Sequence, residues 1–322
     1  NFAVSEALSF HLAADIYHTD GYQTTPSEYL WRFPHKGAVV TENRNVQLTT
    51  YFKPAADLSG FVRLGYHVQD QDISYENGSN VQRSPDFAAN LTKAFGTSSL
   101  SANAWAQQVR FEKYNGSTCY YQGGTSCLNS NSASLTPASV NSNVVEFYTQ
   151  YGHQRYQEQG ASLTYSQRLS GKWTGFDAGV DYRGLKAEDT EYFYTTPRSP
   201  ANPQGNFNST TSGEGRQTFT GLFGQTRVFP IDPLEITLSA RYDTWRISDR
   251  ANTRTTAAGV TTGGDLPASD KTAFNPSLAL RYELTDAASL RAAAYKAFRA
   301  PGFNNLTRTF GTGTKCLGTN RR

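Results

Sequence analysis

From Leu234 to Asp243 apolar and polar side chains alternate without a break. Leu234, Ile236, Leu238, Ala240 and Tyr242 fall on one side, and Glu235, Thr237, Ser239, Arg241 and Asp243 on the other. A period of two places successive side chains on opposite faces of a pleated strand, so the stretch predicts a strand with one apolar and one polar face. Val62, Leu64, Tyr66 and Val68 alternate likewise against Arg63, Gly65, His67 and Gln69, and Leu278, Leu280, Tyr282 and Leu284 against Ser277, Ala279, Arg281 and Glu283. Eleven segments of this kind are expected, over 6–22, 43–54, 59–75, 83–96, 98–114, 144–169, 173–194, 216–229, 234–249, 271–285 and 288–299.

The links between these segments alternate in length. Pro54–Ser59, Gly96–Ser98, Ser170–Lys172, Pro230–Pro233 and Thr285–Ala288 are tight, whereas 23–42, 76–82, 115–143, 195–215 and 250–270 are long and rich in Gly, Ser, Thr, Asn and Pro. In an up-and-down sheet this puts every short link at one end and every long one at the other, the pattern of a membrane barrel with short periplasmic turns and long outer loops. A soluble β-sandwich shows the same alternation. Its strands average about 5 to 6 residues, however, and the longer segments here suit a tilted bilayer crossing of about 9 to 11 residues with extensions beyond it. Tyr22, Tyr51, Phe95, Trp173, Phe229 and Trp245 stand near segment ends, where interfacial girdles are expected. The fold class expected is all-β, an antiparallel transmembrane β-barrel of up-and-down hairpins.

Composition narrows the classes further. Hydrophobic residues make up 37% of the chain, and no apolar run approaches the roughly 18 residues of a membrane helix. That excludes a helical membrane protein but not a barrel, whose strands offer lipid only every second residue. The formal charge of +3 is spread among mixed signs with no basic stripe, so no nucleic-acid partner is expected. His11, His18, His35, His67 and His153 lack any paired-ligand spacing, and no metal or cofactor is expected. There is no Gly-x-Ser-x-Gly elbow, and Gly313-Thr-Lys-Cys-Leu-Gly318 lacks the ending of a phosphate-binding loop, which argues against an enzyme.

Cys119 and Cys127 lie in one long polar link. Their setting favours a disulfide at the tip of an outer loop over two free thiols, because the cell exterior is oxidising. Metal binding fits less well, since the spacing is not Cys-x2-Cys. Cys316 is left over.

The hairpin of Phe274 to Leu306 ends in Phe298-Arg299-Ala300-Pro301, followed by Phe303, Asn304 and Leu306. It resembles the barrel hairpin and Phe-Arg-Ala-Pro box of TonB-dependent outer-membrane receptors, with Gly302 in place of the common Ser and Asn305 in place of the common Glu. The resemblance implies a barrel of about 22 strands filled by an N-terminal plug. Such a receptor sits in the bacterial outer membrane, among its lipids, and imports a scarce small molecule. Ferric siderophores or other iron chelates, haem and cobalamin are the usual classes, and the TonB energy-transducing complex drives their import through the plug.

On that reading the chain is a single domain over 1–322 that supplies about eleven of those strands, with plug and C-terminal closing strands absent. The lack of any Met, and of a secretion signal in Asn1-Phe-Ala-Val4, points the same way. Tyr120, Tyr121, Tyr192 and Tyr194 are the expected ligand contacts in the outer loops, because Tyr offers a large contact area and a hydrogen bond at low entropic cost. Arg241, Arg281 and Arg291 stand on the polar strand faces and would line the lumen, where they either guide an anionic ligand or hold ion pairs. Arg299 is of the same kind and also stands next to the Pro301 bend. A passive porin and a surface adhesin barrel are the competing functions. An upstream plug separates the first from a receptor, and loop-deletion binding assays separate the second.

Overall fold

A computed structural model describes residues 2–33, 36–73, 78–121, 127–129, 135–140, 144–195 and 206–302. They form one antiparallel sheet of β1 (Phe2–Ser5), β2 (Leu8–Thr19), β3 (Thr41–Ala55), β4 (Leu58–Asp72), β5 (Ser79–Phe95), β6 (Ser98–Tyr121), β7 (Cys127–Asn129), β8 (Val144–Arg168), β9 (Trp173–Thr195), β10 (Asn206–Ile231), β11 (Leu234–Thr256), β12 (Thr261–Leu266), β13 (Ser269–Thr285) and β14 (Ala288–Tyr295). Twelve of them pair strictly in sequence order from β1 to β14, while β7 pairs with the outer end of β6 and β12 with the outer end of β11. The sheet is open along β1 and β14 among the described residues. No described helix is long and apolar enough to cross a membrane.

Register carries the alternation from strand to strand. Leu12 faces Leu48, Leu48 faces Leu64 and Leu64 faces Phe87. Further on, Leu163, Val180, Leu222, Tyr242 and Phe274 form a second continuous row. These apolar rows lie on the exposed face. On β10, Leu222 is 59% exposed while Gln217 on the opposite face is 3% exposed. In water that arrangement forfeits about 25 cal/mol for each Å² of apolar surface left uncovered. With lipid outside and a polar lumen inside, it is the expected polarity of a membrane barrel.

The structure corrects the expected elements in four places. β1 is an additional strand at the N-terminal edge, so the main path has twelve strands rather than eleven. Much of the links 195–215 and 250–270 is strand, because β10 starts at Asn206, β11 continues to Thr256 and β12 follows. These extensions read as loops because Ser, Thr, Gly, Asn and Arg fill both of their faces, and without an apolar side there is no period to detect. β14 stops at Tyr295 instead of 299. Trp245 faces inward and is 4% exposed, not part of a girdle.

Candidate functional site

The inward face is a wall of paired charges, and two of the pairs reach over an intervening strand. Arg241 on β11 donates to Asp181 on β9 through both terminal guanidinium nitrogens, at 2.6 and 2.9 Å, and its Nε donates to Asp243 at 2.6 Å. Asn275 on β13 donates to the other oxygen of Asp243 at 2.8 Å. The strand crossed is β10, where Gly221 stands opposite both Asp243 and Asp181. A Cβ there would lie 2.1 Å from the Arg241 guanidinium and push it aside, so glycine lets the side chain cross unmoved.

A glycine beneath a long side chain recurs further along the wall. Arg183 on β9 forms a bidentate pair with Glu158 on β8, both contacts at 2.8 Å, and Trp105 on β6 donates its indole N–H to Glu158 at 3.2 Å. The Trp105 ring lies over Gly160, where a Cβ would overlap it. Nearer the outer end, Lys113 on β6 pairs with Glu191 on β9 across Gly152 on β8. That pair is buried, with Glu191 1% exposed. Arg63 and Asp86 pair at 3.3 Å on the neighbouring strands β4 and β5.

An apolar patch interrupts this wall. Ala187, Trp245 and Ile247 form a buried cluster, against which Tyr156, Leu185, Phe219, Phe298 and Ala300 pack. After β14 the chain therefore turns inward, laying Phe298 and Ala300 on the outer half of the lumenal wall, and Gln217 Nε2 donates to the Pro301 carbonyl at 3.0 Å. Sequence reading missed this contact. Trp245 and Ile247, apolar residues in the polar register of β11, were the available signal for it.

The nominated residues occupy separate places. Arg241 is fully engaged with acids on the mid-wall. Arg281 pairs with Glu283 at 2.9 Å and Glu235 at 3.9 Å near the short-turn end, directly opposite Arg291 on β14. Arg299 is exposed. Tyr120 is 1% exposed at the outer end of β6. Tyr192 and Tyr194 lie on the outward face of β9, where Tyr192 stacks on Tyr151 at 5.8 Å and Tyr194 meets the edge of Phe207 at 6.2 Å. Tyr114 extends that stack at 4.5 Å from Tyr151. The side chains of Tyr121 and Cys127 lie outside the described residues, although their backbones pair in the β6–β7 hairpin. Cys119 is buried and disulfide-bonded. Among the described residues no cluster of His, Cys, Asp or Glu is arranged to hold a metal.

The sequence pattern of the family described as TonB dependent receptor-like, beta-barrel, matches residues 17–320. The chain belongs to the TonB-dependent receptor family. Solved structures carry the same fold. The closed form of the ferric-catecholate import receptor Fiu from E. coli K12 superposes with a TM-score of 0.68 at 11% identity, over 96% of this chain and 49% of that one. The ferric yersiniabactin uptake receptor FyuA from Yersinia pestis gives 0.65 at 10% identity over 88% and 41%, and the copper transporter OprC gives 0.62 at 11% identity over 92% and 42%. The chain thus spans about half the length of the structures it matches. No curated protein sequence matches it.

Proposed function

We propose that this chain is the barrel part of an outer-membrane active transporter, which binds a scarce ligand at its outer loops and imports it with energy supplied through TonB. The observation that carries this reading is the family match over residues 17–320, on a sheet that turns its apolar side outward. Iron chelates of the siderophore type are the first ligand class to examine, since Fiu and FyuA are described as receptors for ferric catecholates and ferric yersiniabactin. Capture falls to the outer strand ends and the links above them, where the buried Tyr120 would shape the site from beneath. Arg281 and Arg291 serve the inner end of the path, Tyr192 and Tyr194 brace the rim, and Arg241 holds the wall.

The test is uptake of radio-iron-labelled catecholate and hydroxamate siderophores by cells carrying the full-length receptor, with and without the energy-coupling protein. Uptake is expected only with coupling, and surface binding in both. Equal uptake in the two strains places the protein among passive porins.

A further inference from the structure

After Tyr295 the chain stands at a fork. The Lys296 N–H still donates to the Pro276 carbonyl at 3.0 Å, but Pro276 has no N–H to return the bond, and β14 ends there. Beyond that point residues 269–275 of β13 pair only with β11 among the described residues. The chain takes the inner branch instead. Residues 296–302 form a strap on the lumenal wall, where Phe298 and Ala300 pack against Ala187, Trp245 and Ile247, and Gln217 holds the Pro301 carbonyl at 3.0 Å.

The outer branch is vacant and the sequence suits it. Continuing the β13–β14 register at the same count sets Phe298 opposite Phe274 and Ala300 opposite Thr272. Both are hydrogen-bonded rungs, because such rungs alternate along an antiparallel ladder and the 296–276 rung is one of them. Pro301 falls opposite Lys271, on a rung that asks no N–H of it. Phe298 would then face outward beside Phe274, which is 54% exposed, and would lengthen the row of Val180, Leu222, Tyr242 and Phe274 by one strand. One segment therefore fits two positions.

The inner position is incompletely satisfied. Trp245 is 4% exposed, yet among the described residues its indole N–H meets no acceptor. A buried donor left in that state favours any arrangement that brings it an oxygen. What the strap does bring to the wall is an aromatic ring, from Phe298, and one carbonyl oxygen, at Pro301, which the Gln217 amide takes.

Resting on the transport reading above, we propose that the strap is an internal stand-in for the ligand. The wall at Trp245, Ile247 and Gln217 takes an aromatic ring that carries oxygen acceptors, and such a ligand displaces the strap onto the free edge of β13. Binding and opening are then one equilibrium, since a ligand that binds only the vacated wall draws the population towards the undocked strap. Pro276 keeps the choice reversible, because the ladder is weakest where the two branches part.

The test is cross-linking of the full-length receptor, purified in detergent, as a triple variant with Ala300→Cys, Ala187→Cys and Thr272→Cys. A bis-methanethiosulfonate reagent joins position 300 either to 187, the docked strap, or to 272, the β13 edge, and peptide mass spectrometry gives the ratio. The 300–187 link should dominate without ligand. Ferric tris(2,3-dihydroxybenzoate), whose rings carry oxygens, should shift the ratio towards 300–272 by about tenfold. Ferric tris(acetohydroxamate), which has no ring, should leave it unchanged. Trp245→Ala should shift it towards 300–272 with no ligand at all. A 300–272 link absent under every condition, or one ratio with both iron complexes, overturns the proposal. Folding is read from heat-modifiable gel mobility, and Ile247→Cys replaces Ala187→Cys if that variant fails to fold. Uptake that needs no energy coupling overturns the transport reading alone, because the links are read in purified receptor.

Discussion

Arg241 grips Asp181 from two strands away, with both guanidinium nitrogens inside 3 Å and Gly221 lying flat beneath them. A side chain on β10 at that point would lift the guanidinium off its partner. The glycine therefore favours this geometry of the ion pair through close approach and not through backbone conformation.

Gly221→Leu should thus destabilise the barrel by about 1–3 kcal/mol, the range for losing a partly buried charge-assisted contact. Gly224→Leu is the matched control, because a Cβ at Gly224 meets only ordinary contact on the lipid side. Urea unfolding of the full-length receptor from detergent micelles reads both. Equal midpoints for the two variants would count against the bridging role.

Leu238→Arg puts a charge on the outward face, and near the bilayer midplane this costs about 2–4 kcal/mol. Ser239→Arg, on the lumenal face, should be mild. The same unfolding assay compares them, and a similar loss at both positions would reverse the assigned faces.

Acid sensitivity should show at a short turn. Lys93 hydrogen-bonds the Asp57 carboxylate and holds its pKa below the usual value. A carboxyl depressed in the folded state contributes stability above its unfolded pKa of about 3.9, and that contribution disappears as pH falls through the lower folded value. Asp57→Asn should differ from wild type at neutral pH, and the gap should close below about pH 4. A gap unchanged by acid would remove the titration account.

We expect the partner of Cys119 to be Cys127, which the β6–β7 ladder brings onto the neighbouring strand. Non-reducing peptide mapping checks the linkage, and a Cys119–Cys316 peptide would refute it. Replacing the bond should weaken ligand capture more than barrel stability, because a loop staple constrains few of the strand contacts.

Much of this fold was legible because lipid and lumen impose opposite demands on alternate residues. Leu234 to Asp243 announces its register for that reason. The legibility ends where the demand does: Asn208 to Gly215 carries no apolar side chain on either face, so its strand left no period. The short β1 and its two-residue turn also went unread. On the wall, the residue types were visible but the partners were not. Arg241 and Asp181 are 60 positions apart, and their link depends on Gly221 in a third strand. Inward glycines beneath long charged or aromatic side chains, at Gly152, Gly160 and Gly221, were the one sequence trace of that network.

β10 continues from Arg216 back to Asn206, and β11 from Arg246 on to Thr256, so the hydrogen-bonded ladder runs on well past the last residues that meet lipid. The two ends of each strand consequently meet different physical demands. Residues near the short turns are held to the chemistry of insertion. The upper lengths extend the sheet beyond the apolar band, so the links they carry can change in length without altering the apolar face below.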